Sequence, residues 1–111
     1  MAYAESYYVA EKPGHRVRVT VTAGSTSQWF FVSASGGKVV CKPGSGGTMS
    51  AQLTSSPSGT VQSDNDNATS NASAETWPAG TVSAVTSETF ERATAVRFTA
   101  TTADGIGEIA S

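Results

Sequence analysis

Apolar and polar residues alternate strictly over residues 16–22, RVRVTVT, with Val17, Val19 and Val21 on one side and Arg18 and Thr20 on the other. This period-two pattern predicts a strand with one buried and one solvated face. Ahead of it, Pro13-Gly14 predicts a turn that sets off an N-terminal arm, residues 1–14, carrying Tyr3, Tyr7 and Tyr8. The remainder, residues 15–111, reads as a single domain. After Ala23-Gly24-Ser25 comes QWFFVSAS, where Trp29, Phe30, Phe31 and Val32 form a continuous apolar run of strand length. Such a run is expected to be covered on both faces, within the domain or by a partner. Gly36-Gly37 then predicts a tight turn, and so a β-hairpin with the short KVVC strand, because hairpin turns need the positive φ that glycine supplies.

Beyond the loop KPGSGG, Met49, Ala51 and Leu53 alternate with serine, glutamine and threonine, predicting another strand with one solvated face. Past Pro57-Ser58-Gly59, the segment VQSDNDNATSNASAETW is poor in large apolar residues. It reads as a long surface loop with room for one helical turn. In the last third, Val82, Val85 and Phe90 mark strands or a bend, and ATAVRFTATT places Val96, Phe98 and Ala100 on a core face opposed to Ala95. Asp104-Gly105 marks a turn, followed by a short closing strand around Ile106 and Ile109. About six to eight short strands at intervals of roughly ten residues predict an all-β fold, a β-sandwich or jelly-roll-like domain of antiparallel strands.

Composition strengthens that expectation. The chain has 111 residues, one domain's worth, of which 14% are charged and 38% hydrophobic. Serine and threonine exceed a quarter of it and supply the solubility that charge does not. Threonine favours strands, and serine favours turns. The net charge is −2, and the seven lysines and arginines are scattered along the sequence rather than clustered, so nucleic acid is not an expected partner. No apolar run approaches the roughly 20 residues of a membrane span, and the start lacks the basic end and apolar stretch of a secretory signal. A cytoplasmic site of synthesis is expected.

Candidate chemistry is sparse. His15 is the sole histidine and Cys41 the sole cysteine. Together they exclude an internal disulfide and cannot supply an intramolecular zinc site. His15 reads as a turn residue and Cys41 as a half-buried strand thiol. Asp64-Asn65-Asp66-Asn67 alternates oxygen ligands as a calcium loop does, but no glycine stands at the sixth position, and loop polarity explains it better. The sequons at Asn67 and Asn71 arise readily in an Asn/Ser/Thr-rich loop, and Gly44 to Gly47 lacks the lysine-serine pair of a phosphate loop. Glu88 and Glu91 have no fixed carboxylate across a cleft to act with. No catalytic residue, cofactor or metal is expected. Trp29 and Trp77, with Tyr3, Tyr7 and Tyr8, could form an aromatic platform for a glycan; the alternative is that both tryptophans pack inside.

From Met49 onward the order is the AQLT strand, the polar loop, TWPAGTVSAVTSETFE and ATAVRFTAT. The residues Trp77, Gly80, Thr94, Ala95, Val96, Arg97 and Phe98 resemble a pattern of small virion structural proteins of tailed bacteriophages. The resemblance covers the C-terminal half. It implies a non-enzymatic protein, made in the host bacterial cytoplasm and located in the virion, that decorates or reinforces the capsid as a capsid decoration or head-fibre protein. The major capsid protein or another virion protein would be its partner, and local threefold symmetry would make it a homotrimer. A glycan- or receptor-binding module of a head or tail fibre, and a tail or neck component, are the alternatives. Tyr3, Tyr7 and Tyr8 are the candidate interface residues, since tyrosines give rigid contact area and extended arms can add to a neighbour's sheet edge.

Overall fold

The computed structural model describes the backbone of residues 5–10 and all atoms of residues 16–33 and 35–111. Tyr3, His15 and the Pro13-Gly14 turn lie outside the described residues. Ten strands and one helix follow in the order β1 (Glu5–Ala10), β2 (Arg16–Val21), β3 (Ser25–Thr26), β4 (Phe30–Phe31), β5 (Gly37–Pro43), β6 (Thr48–Thr54), α1 (Ser58–Asn67), β7 (Ala74–Thr76), β8 (Thr86–Phe90), β9 (Ala95–Thr101) and β10 (Gly105–Ala110). One sheet has the order β1-β2-β10-β5-β8; the other runs β3-β9-β6-β7, with β4 also pairing β9. Every pairing is antiparallel, and the two sheets pack face to face as an all-β sandwich. The strand count exceeds six to eight because β3, β4 and β7 are only two or three residues long.

The core follows from strand alternation. Val17, Val19 and Val21 of β2, Val39 and Cys41 of β5 and Ile109 of β10 face inward from the first sheet. Met49 and Ala51 of β6 and Val96, Phe98 and Ala100 of β9 meet them from the second. Each buried valine or phenylalanine contributes about 1.5–3 kcal/mol. Two glycines set the spacing: a Cβ on Gly105 would collide with the Met49 side chain, and one on Gly107 with the Phe98 ring. The final strand lies between β2 and β5, and its glycines leave room for Phe98 and Met49, the two largest of the side chains that are less than 2% exposed.

Three local expectations are corrected. The Gly36-Gly37 turn makes no hairpin, because β4 pairs with β9 in one sheet while β5 pairs with β10 and β8 in the other. The turn instead carries the chain between sheets, and Gly36, at φ +92°, sits where a Cβ would strike the Phe90 and Glu91 carbonyls. The Trp29 run forms a strand only over Phe30–Phe31, since Trp29 departs to pack with Val61 of α1 and Ala95. The polar segment after Pro57 holds a ten-residue helix rather than a loop with one turn.

Tertiary contacts hold that helix, whose one buried apolar residue is Val61. The Asn65 carboxamide accepts from the Trp29 N–H at 2.8 Å and donates to the Trp29 carbonyl at 2.9 Å, imitating a strand partner. Asp64, fully buried, accepts from the Thr69 hydroxyl at 2.6 Å and from the backbone N–H groups of Asn71 and Ala72 at 2.9 and 2.7 Å. These bonds fold the chain after the helix back onto it, and Ala68 closes the helix at φ 53° in the left-handed region.

Candidate functional site

The solvent-facing side of the first sheet is built by register. Successive residues of a strand point to opposite faces, so burying Val17, Val19 and Val21 turns Arg16, Arg18 and Thr20 outward. Arg16 pairs with Ala110, which pairs with Lys38; Arg18 pairs with Glu108, which pairs with Val40; Thr20 pairs with Ile106, which pairs with Lys42. Four of the six basic residues among those with described side chains thereby share one face, and its one described acid is Glu108. The scattered positions of the sequence become a cluster because β10, the last strand, inserts between β2 and β5.

A shallow hollow of about 320 Å³ lies on this face, lined among others by Arg16, Arg18, Lys38, Val40, Glu108 and Ala110. Its shape has a simple cause. Neighbouring strands are about 4.8 Å apart, so Arg16 and Lys38 stand roughly 10 Å apart across the sheet. Between them Ala110 offers only a methyl group, leaving a floor with a long cation on each side. In the next row Arg18 contacts Glu108 at 3.5 Å, with both side chains partly exposed at 45% and 34%. An exposed pair of this kind adds well under 1 kcal/mol to stability. The three cations against one carboxylate leave the hollow with a local positive excess within an acidic protein.

Elsewhere the candidate residues serve the framework. Cys41 is fully buried, and burial pushes its thiol up to about 12, so it is neither a thiolate nor accessible. Trp29 and Trp77 are each only 2% exposed, so neither offers a ring face to a sugar. Trp77 fills the main core and donates from Nε1 to the Gly80 carbonyl at 2.5 Å. The Arg97 guanidinium lies 4.4 Å from the centre of a Trp29 ring and donates from Nε to Gln52 at 2.7 Å. Asp64 is anchored inside its own loop rather than open to a cation. Glu88 borders a second hollow of about 160 Å³ with Leu53, Trp77 and Phe90, and is the one carboxylate among its described lining residues. Among the described residues no three His, Cys, Asp or Glu side chains converge as metal ligands would. Of the candidate interface tyrosines, Tyr7 and Tyr8 pair in β1 with Val19 and Arg18, and Tyr3 is outside the described residues.

Trp77, Gly80 and residues 94–98 have packing roles. Val96 and Phe98 are core, Ala95 lies under the helix, and the Thr94 N–H donates to the Thr54 carbonyl at 2.7 Å. The Trp77-to-Gly80 turn closes with a backbone bond of 3.0 Å, with Gly80 at φ 66°. Sequence reasoning missed the cationic hollow, and the signal it lacked was strand pairing: positions 16, 38 and 110 become neighbours only once β10 is known to separate β2 from β5. Comparison of the chain with protein-family models, curated proteins and solved structures finds no match.

Proposed function

We propose that this chain is a non-enzymatic virion structural protein of a tailed bacteriophage that decorates or reinforces the capsid, assembled as a trimer and attached through the outer face of its first sheet. The observation that carries the reading is the segregation of Arg16, Arg18, Lys38 and Lys42 onto that face in a chain of net charge −2. Charge gathered on one side of a protein steers and orients its docking to a surface of opposite sign. The class itself rests on the resemblance of residues 77–98. With Trp29, Cys41, Asp64 and Trp77 buried in the framework, the reading puts the protein's action on its surface, and a trimer suits attachment at a capsid's local threefold axes.

The deciding measurement is the mass of the protein in solution, together with its sedimentation alongside emptied heads of the phage that encodes it. A trimer that pellets with heads, and pellets less as salt rises, is expected. A stable monomer that stays in the supernatant at every ionic strength overturns the reading.

A further inference from the structure

Resting on that reading of the first sheet as the attachment face, we infer that the hollow between Arg16 and Lys38 receives a carboxylate-bearing segment of a partner protein, and that Glu108 is its internal competitor. The geometry specifies the guest. Arg16, Arg18 and Lys38 rise around a floor made by Ala110 and Val40, so an entering group meets cations at the rim and apolar surface beneath. Arginine holds a carboxylate through two parallel N–H donors, and lysine adds a compact charge. A side chain ending in a carboxylate, on a backbone flanked by small apolar residues, matches both features.

Glu108 supplies the second observation. Its carboxylate already reaches Arg18 at 3.5 Å from within the hollow, so one of the three cations is seen holding a carboxylate there. That contact is long for a charge-assisted hydrogen bond and both partners are partly exposed, so an incoming carboxylate displaces it at little cost. Arg16 and Lys38 lie across Ala110 from each other. A polyphosphate chain is a poorer guest, because it needs a continued basic track, and this patch carries Glu108 at its centre and passes into Thr20, Ser87 and Thr89.

If Glu108 competes with the guest, removing its charge from the hollow should improve binding. Fluorescence anisotropy of a labelled, end-blocked peptide alternating glutamate and alanine, at low ionic strength, reads this directly. The full chain is expected to bind it and to ignore the glutamine counterpart. Glu108→Gln should tighten binding about three- to tenfold, a gain of up to about 1.4 kcal/mol. Arg16→Glu and Lys38→Glu should each weaken it about tenfold or more. Ala110→Trp, which fills the floor and leaves every charge in place, should abolish it. The Ser58→Glu, Ser63→Glu double variant makes the same change of charge at exposed positions of α1, which packs through Val61 on Trp29 and Ala95 of the second sheet; it is the control and should change affinity less than about twofold. Circular dichroism of each variant checks the fold. No gain from Glu108→Gln, undiminished binding by Ala110→Trp, or equal losses from the α1 double variant and Lys38→Glu would overturn the inference in favour of diffuse attraction. Tighter binding of an oligothymidylate than of the peptide would overturn it in favour of nucleic acid. Sedimentation of the Arg16→Glu, Lys38→Glu double variant with heads separates the two readings: peptide binding lost with head association intact removes this face as the attachment site while leaving the hollow's chemistry standing.

Discussion

Cys41 shows how one buried position constrains its neighbours. It sits in β5 directly across from Gly107 of β10, and the missing side chain on Gly107 leaves room for the Phe98 ring from the opposing sheet. The thiol is thus sealed beneath an aromatic core, and burial raises it to about 12 from an ordinary 9.0. The sign of the linkage follows. A thiol whose folded value lies above its unfolded one adds nothing to pH dependence while both states stay protonated, below about pH 9. Above that the unfolded chain ionises and the folded one does not, so stability falls progressively toward pH 12. Urea midpoints should therefore decline over this interval, and Cys41→Ala should decline less steeply, though from a lower start because a cavity costs stability at every pH. In the native state the thiol should resist alkylation near neutral pH and react once urea unfolds the chain. Rapid native labelling would mean that the core opens locally.

At the scale of elements, α1 shows where sequence patterning fails. The alternation in residues 16–22 and 95–101 was legible because each strand buries one face by itself, and the core residues Val17, Val19, Val21, Val96, Phe98 and Ala100 follow from it. The helix buries its side by polar contacts, with Asn65 bonded to the Trp29 backbone and Asp64 to the loop at residues 69–72, so no apolar period announces it. Asp64 carries a definite expectation. Burial pushes its carboxyl up, but the hydrogen bonds from the Thr69 hydroxyl, the Ala72 and Asn71 N–H groups and the Asn71 side chain together hold it below its ordinary 3.8. Stability from this group is present above pH 3.8 and lost as pH falls below it through the folded value. Asp64→Ala should cost about 1–3 kcal/mol at neutral pH by removing the charged acceptor of three part-buried donors. The gap between variant and parent should narrow on acidification, which equilibrium unfolding at neutral and acid pH would reveal. A gap that stays constant down to acid pH would mean that the protonated carboxyl serves the loop equally well.

At the scale of the molecule, strand order decides what can be removed, and strand order was the part the sequence concealed. Local patterning shows that a segment is a strand but says nothing of its neighbours; pairing β2 with β10 joins residues 16–21 to residues 105–110 across nearly the whole chain. The cationic hollow was hidden for the same reason, since it is a product of that pairing. Position along the chain and position in the sheet are thus opposed: both ends are terminal in sequence, yet β1 is an edge strand and β10 is the middle of its sheet. An edge strand gives up one ladder of hydrogen bonds when it is lost, while a central strand gives up two and bares the core on both sides. Removing residues 105–111 takes away the inward Ile109 and the partners of both β2 and β5, separating the three β2 valines from Val39 and Cys41. That truncation should abolish the cooperative thermal transition and the β-sheet circular dichroism. Removing residues 1–11 should preserve both, because β2 keeps its ladder with β10 and its valines keep the opposing sheet. If assembly depends on the arm, the second truncation should also lower the mass in solution without lowering the sheet signal. A chain that still folds without residues 105–111 would show that β2 and β5 can pair directly and that the sandwich closes without its middle strand.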